Sequence, residues 1–353
     1  MEHAERLVVS RSSAVVLGVL AVVFAAGLAF ASVELPRVAS GWLMEVVDFP
    51  GFDSGREAER ADAFIQSHGL RVVGYASLLL VAAAVVAGLL TGRRALAAAG
   101  AVALFLPVFG HFAASMFFLA GLGMFRVIFL PVLDRSHDLM ALGEVAFVPY
   151  MAAVYPPALL GFDARDLVVW GTMTVGMAVF ILGVYSWFLT RARGSGVADS
   201  WVYRISRHPQ YLGWILWSYG LLLYVSRYSE LYHFKISYGV PSSLPWLLST
   251  MVIVGVALAE EVAMDRRYGE SYRSFAARTP FLLPTPRWLA RLVEAPMRLV
   301  LGGRRPRSGA DVLRVVFIYT LVLILASVPF VVFDWPAVTA WYAFPYNVPP
   351  FTS

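Results

Sequence analysis

The chain has 353 residues, 59% of them hydrophobic and only 14% charged, with a mean hydropathy of +0.70. A soluble domain carries about 25% charged residues, so the composition excludes an ordinary soluble enzyme and reads as an all-α, polytopic helical membrane protein. Cysteine is absent, which excludes disulfides, thiolate nucleophiles and cysteine-held metals. The net charge of +5 is concentrated in a few loops and points to the headgroups of a lipid bilayer rather than nucleic acid.

About 20 apolar residues cross a bilayer core. Residues 12–33 are uncharged and follow Arg6 and Arg11, which makes them a first span with a cytoplasmic N-terminus. Several apolar runs follow, so this one reads as a retained span rather than a cleaved signal. Residues 34–70 form a polar insertion in which acids outnumber Arg37, Arg56 and Arg60, the balance of an outside loop. Within it Trp42, Leu43 and Val46 are placed to rest on the membrane interface, and residues 56–65 fit a short surface helix. Residues 72–92 make a second span, and Arg93-Arg94 returns the chain to the cytoplasm.

The uncharged stretch 95–125 is too long for one straight helix and contains Pro107, Gly110 and His111. Residues 129–138 read as a loop or broken helix, and 145–162 as an apolar run interrupted by Pro149 and Pro156-Pro157, with Glu144 at its start. Between Arg94 and the next basic loop the chain must cross an odd number of times. It crosses once and re-enters, or three times, for seven to nine transmembrane or re-entrant segments in all.

Residues 167–190 form a clean span closed by Arg191 and Arg193, and the loop through Arg204 and Arg207 is basic and cytoplasmic. Residues 209–226 and 244–259 then make a helical hairpin joined outside. From 260 to 279 Met264, Tyr268, Tyr272 and Phe275 fall on one helical face, the pattern of an amphipathic helix on the membrane surface. Seven arginines between 287 and 314 form a basic apron, followed by a final span over 315–333.

Two polar constellations share the cytoplasmic rim. One is Arg207-His208-Pro209-Gln210-Tyr211-Leu212-Gly213, at the mouth of the hairpin's first helix, where Pro209 suits a first turn. The other is Glu260-Glu261 with Tyr268-Gly269 and Tyr272. Two antiparallel helices bring residues 208 and 260 back to the same face. A cation, an imidazole, two carboxylates and two phenols around one crevice suit a zwitterionic ligand bearing an amino group, a carboxylate and a ribose.

In this order and spacing, and ending in Phe281-Leu282-Leu283-Pro284, the two constellations resemble the C-terminal core of the isoprenylcysteine carboxyl methyltransferase family and the related phospholipid methyltransferases. The resemblance covers residues 167–284, leaving 1–166 as N-terminal membrane helices and 285–353 as a basic segment with a last span. It implies S-adenosyl-L-methionine bound at the cytoplasmic side of a multi-pass protein, here of a bacterial inner membrane. The methyl acceptor, a lipid or small hydrophobic molecule, would arrive from the membrane. Carried over residue by residue, His208, Pro209, Tyr211, Gly213, Glu260 and Tyr272 would bind the cofactor, while Arg207 and Glu261 would act on the acceptor. Arg278 is a second basic candidate. The pattern departs from the family at Met264, where leucine is common, and in the insertion and the C-terminal extension.

The chemistry asks for alignment and exclusion of water more than strong acid–base catalysis. A carboxylate acceptor needs no base; an amine or thiol would lose a proton to Glu261, Tyr272 or His208. Gly121-Leu122-Gly123 and Gly194-Ser195-Gly196 lack the third glycine and the strand context of a dinucleotide fingerprint. Two competing readings stand beside this one: an NADPH-dependent membrane reductase of the sterol or steroid-reductase kind, which a larger basic pocket for a 2′-phosphate would favour, and a lipid-binding scaffold built on the arginine apron.

Overall fold

The computed structural model describes residues 9–46, 63–110, 127–194, 196–199, 201–231, 243–302 and 305–333. His111, Gly121-Leu122-Gly123, Ser195, residues 47–62 of the 34–70 insertion (with most of the expected 56–65 surface helix) and residues 232–242 of the hairpin's outer loop therefore lie outside the described residues. Six helical stretches are long and apolar enough to cross a membrane: Arg11–Leu35, Leu70–Thr91, Asp138–Leu159, Arg165–Ala192, Ser243–Tyr268 and Gly309–Val332. Arg94–Phe105 is a shorter apolar helix. The protein is a polytopic helical membrane protein.

In chain order the helices are α1 (Arg11–Val46), α2 (Leu70–Thr91), α3 (Arg94–Gly110), α4 (Leu130–Leu133) and α5 (Val148–Leu159). They are followed by α6 (Arg165–Ala192), α7 (Pro209–Leu231), α8 (Ser243–Tyr268), α9 (Glu270–Arg278), α10 (Arg287–Leu301) and α11 (Gly309–Val332). Leu89, Ala97, Val256 and Val312 meet in one core built by α2, α3, α8 and α11. Val169, Trp217 and Leu222 meet in a second, where α6 and α7 join α5 and the start of α8. Ala21 and Ala25 lay α1 against Phe180 and Val184 of α6.

Among the described residues the α6–α7 pair is the most extensive helix contact, and it fixes where the candidate site stands. A β-carbon on Gly176 would come within 2.3 Å of the Trp217 backbone nitrogen, and one on Gly213 within 2.4 Å of that of Phe180. Gly183 and Gly220 make equivalent approaches to Gln210 and Met173. Small residues let membrane helices pack backbone to backbone where no hydrophobic force drives them together. Gln210 Nε2 adds a hydrogen bond of 3.3 Å to the Gly183 carbonyl. The antiparallel register set by these contacts holds Arg207, His208 and Tyr211 at the basic end of the bundle.

Three boundaries differ from expectation. Helix α1 continues to Val46, well into the expected polar loop. Leu35, Val38, Trp42 and Val46 recur at helical spacing and are exposed, so the apolar stripe continues past Glu34. Helix α8 runs on through Glu260 to Tyr268, and the expected amphipathic helix over 260–279 is cut in two. Gly269 sits at φ 52° and ψ −124°, outside the helical region, and α9 restarts at Glu270. The shared face survives the break: Met264 and Tyr268 still pack with Tyr272 and Phe275.

Within 95–166 the described residues are α3 and the broken stretch from Val127 to Leu159. Gly88 packs on Ala97, and at the far end of α2 Gly74 packs on Val127 and Leu130. Ser243 Oγ then donates to Glu144 Oε1 at 3.1 Å and the Val145 N–H donates to Ser327 Oγ at 3.2 Å, so the broken arm dips among the far halves of α8 and α11. It continues through α5 toward the start of α6.

Candidate functional site

At the basic end of the bundle the C-terminal part of α8 faces the start of α7. Glu261 collects the most contacts. Arg207 Nη1 lies 3.0 Å from its Oε1, and His208 Nε2 lies 3.2 Å from the same oxygen. The Tyr272 hydroxyl, brought over by α9, is also hydrogen-bonded to Glu261. Next to it in sequence, Glu260 accepts from the Tyr211 hydroxyl at 3.1 Å and pairs with Arg94 Nη1 at 3.5 Å. The two adjacent carboxylates thus face different neighbours, Glu261 inward to Arg207 and His208, Glu260 toward α3 and Tyr211.

The segment after α9 locks this arrangement. The Arg207 N–H donates to the Pro280 carbonyl at 3.0 Å. The His208 N–H donates to Ser206 Oγ at 3.2 Å. Phe281 stands edge-on to the His208 ring at 5.1 Å and lies under the Arg207 guanidinium at 5.6 Å. Pro209, fully buried, begins α7 where its missing N–H costs nothing.

These groups border a crevice of about 320 Å³, within the range of roughly 300–1,000 Å³ typical of small-molecule sites. Arg207, His208, Tyr211, Glu260 and Tyr272 line it, with Phe275, Met264 and Tyr268 as an apolar wall. Arg207 is only 10% exposed, yet its Nε and Nη1 hydrogens find no acceptor in good alignment. Buried donors left in that state are costly. A ligand carboxylate or phosphate in the crevice would supply a further acceptor.

Burial and the Glu261 charge push the Tyr272 phenol above its ordinary value, since both penalise the phenolate. Burial and the Glu260 charge do the same to Tyr203. Both are neutral hydrogen-bonding groups at any ordinary pH rather than bases.

Four of the expected residues are not among those lining the crevice: Pro209 is buried at the start of α7, Glu261 stands behind Arg207 and His208 and borders a different cavity, and Gly213 and Arg278 lie elsewhere. Gly213 is in the α6–α7 contact, and its role is backbone approach to Phe180, not the crevice. Arg278 is exposed on the outer side of α9, its Nε bonded to the Ser274 carbonyl. Several lining residues were not foreseen, among them Arg94, Trp187, Tyr203 and Arg267. Arg94 lies 166 positions before Glu260 in the chain, and only the packing of α3 against α8 joins them. Tyr203 and Arg267 carried a weaker signal, since each neighbours one of the two polar constellations.

A family model described as a protein of unknown function (DUF1295) matches residues 167–279. That segment holds α6 to α9, the crevice walls and both polar constellations. No curated protein and no solved structure matches the chain.

Proposed function

We propose that this protein is an S-adenosylmethionine-dependent methyltransferase acting on a lipid or small hydrophobic acceptor at the basic, cytoplasmic face of its membrane. The carrying observation is the meeting of Arg207, His208, Tyr211, Glu260 and Tyr272 around one crevice, with Glu261 behind it holding Arg207 and His208, residues that the family resemblance picks out. The donor set fits the cofactor's polar groups. The unmatched Arg207 N–H groups, with His208, suit its carboxylate. Glu260 suits its ammonium or ribose hydroxyls, and Tyr268, Tyr272 and Phe275 offer an aromatic wall to a purine.

When bound, S-adenosylmethionine supplies a methyl group on a cationic sulfur, whose transfer to an acceptor oxygen, nitrogen or sulfur leaves a neutral thioether. The chain's own contribution is positional. Glu261 orients Arg207 and His208 from below, and Tyr272 closes the crevice from α9 and helps exclude water. An amine or thiol acceptor also needs a proton removed, a task for a carboxylate of this cluster, Glu261 or its crevice-lining neighbour Glu260. A shallow hollow beside the crevice, bordered by Ala95, Leu96 and Val256 and sharing Arg94 and Tyr211 with it, gives an apolar molecule a lateral approach.

One observation favours a second reading, the NADPH-dependent reductase. Four arginines border the crevice, and two of them, Arg191 and Arg267, stack on Trp187 and Tyr268 and have no carboxylate in ion-pair range among the described residues. Such cations suit a 2′-phosphate. Calorimetric titration of the detergent-purified chain separates the readings. We expect binding of S-adenosylmethionine and S-adenosylhomocysteine, weakened in His208→Ala and in Glu260→Ala. Binding of NADPH with no response to either sulfur compound sinks the proposal, and unchanged affinity in both variants breaks the site assignment.

A further inference from the structure

A second cavity lies on the other side of α8, between that helix, α9 and the chain segment leading into α11. Its volume is about 640 Å³, and Arg266, Arg273, Arg305 and Arg307 border it over a floor that includes Leu258 and Val262. Arg305 and Arg307 belong to the C-terminal extension, beyond the segment matched by the family model.

The cationic groups are not equally engaged. Arg273 is tied to Asp265 at 2.8 Å, which removes one positive and one negative charge from the balance. Arg266 Nη2 donates to the Arg307 carbonyl at 2.8 Å, which holds the loop against α8. Arg305 reaches only the Ala276 carbonyl, at 3.5 Å. Among the described residues neither Arg305 nor Arg307 has a carboxylate within ion-pair distance. Glu261, at the back wall, is already committed to Arg207 and His208. The rim is therefore positive with donors to spare, while the floor is apolar.

The neighbouring helices set the depth of this rim in the membrane. In α10, Met297 and Leu301 pack on the protein core. Trp288, Leu292 and Leu299 share another face and are exposed at 68%, 66% and 86%, flanked by exposed Arg291 and Arg298. A helix of that pattern lies in the interface plane with its apolar face in the acyl boundary. Ser308 caps α11 through its Oγ, accepting from the Asp311 N–H at 3.2 Å, and α11 then enters the membrane. Residues 305–307, between the two helices, are thus at headgroup level.

We propose that this cavity is a phosphate-binding site for an anionic phospholipid, with the lipid phosphate on Arg305 and Arg307 and the glycerol and upper acyl chain over Leu258 and Val262. The apolar floor distinguishes a lipid from a free phosphate ion, which would leave that surface unmet. The site shares Tyr272 with the crevice and is read from its own residues, independently of what the crevice holds.

The test uses the full chain in nanodiscs of phosphatidylcholine doped with phosphatidylglycerol, with retention of the anionic lipid read by native mass spectrometry after release from the disc. Arg305→Gln/Arg307→Gln should weaken phosphatidylglycerol retention about 30-fold, each arginine contributing roughly fivefold at a charged surface. Arg291→Gln/Arg298→Gln, at the same depth but outside the cavity, should leave retention near the parent's. An equal loss in both double variants, or no loss in the first, overturns the site. Displacement of the lipid by millimolar inorganic phosphate alone overturns the lipid assignment. The thermal midpoint of the same Arg305→Gln/Arg307→Gln protein, expected at the parent's, reports on folding without reference to any crevice ligand.

Discussion

Breaking the Arg207–Glu261 contact is the sharpest test of how the candidate site is built. The two side chains are 10% and 14% exposed, so water screens the pair little. Removing one partner of a buried ion pair costs about 3–5 kcal/mol, because the other charge is stranded. Glu261→Gln should fall near the lower end, about 3 kcal/mol, since glutamine can still accept from His208 and Tyr272. Arg207→Met should cost about 2 kcal/mol, because His208 and Tyr272 still satisfy Glu261. The double variant strands no charge and should cost about 3 kcal/mol, well short of the sum, for a coupling of about 2 kcal/mol. Reversible unfolding of the four proteins in mixed micelles, followed by circular dichroism, reads the cycle. Additive single effects, with a coupling below about 0.5 kcal/mol, would show that the pair is not a unit and would refute the reasoning.

Gly213→Ala should destabilise the fold by about 1–3 kcal/mol and loosen the site, because the new methyl would sit 2.4 Å from the Phe180 backbone nitrogen, which has no side-chain freedom to yield. A thermal midpoint equal to the parent's would contradict the close α6–α7 approach. For Tyr272 the folded-state pKa lies above the ordinary 10.0. The stability its phenol contributes is therefore fully present below that pH and is lost only as pH climbs through the raised folded value. At pH 10.0, where an ordinary phenol is half ionised, the tyrosinate absorbance of the parent and of Tyr272→Phe should coincide; a deficit of half a phenol in the variant would place Tyr272 in water.

The spans and the hairpin were legible because apolar length and arginine placement are local signals. So were the facing constellations at 207–211 and 260–272, since a hairpin of two near-equal helices returns the chain to one rim. Helix ends were less legible. The polar pair Glu260-Glu261 looks like the end of a span, yet α8 continues to Tyr268, because Arg207, His208, Tyr211 and Arg94 meet the two carboxylates where water would otherwise be needed. Glu34 misled in the same way. Partners contributed by distant elements leave no mark in local spacing, and Arg94 reads as a topology signal until α3 is seen against α8.

The heptad from Arg207 to Gly213 combines two kinds of residue. Pro209 starts the helix and Gly213 lets it press against α6; neither is among the crevice-lining residues. Arg207, His208 and Tyr211 do, and they project from positions that the other two fix. Such a motif stays together because the scaffold residues set the depth and rotation of α7 on which the polar ones depend. A shift of α7 by one residue along α6 would move His208 by about 1.5 Å along the axis and rotate it by roughly 100°. That would break its 3.2 Å contact with Glu261 without altering any polar side chain. Loss of the small residues at 176 or 213 should therefore impair ligand binding through geometry, and the two classes of variant separate by their thermal midpoints: lowered for the glycines, and for Tyr211→Phe lowered only by the roughly 1 kcal/mol of one hydrogen bond.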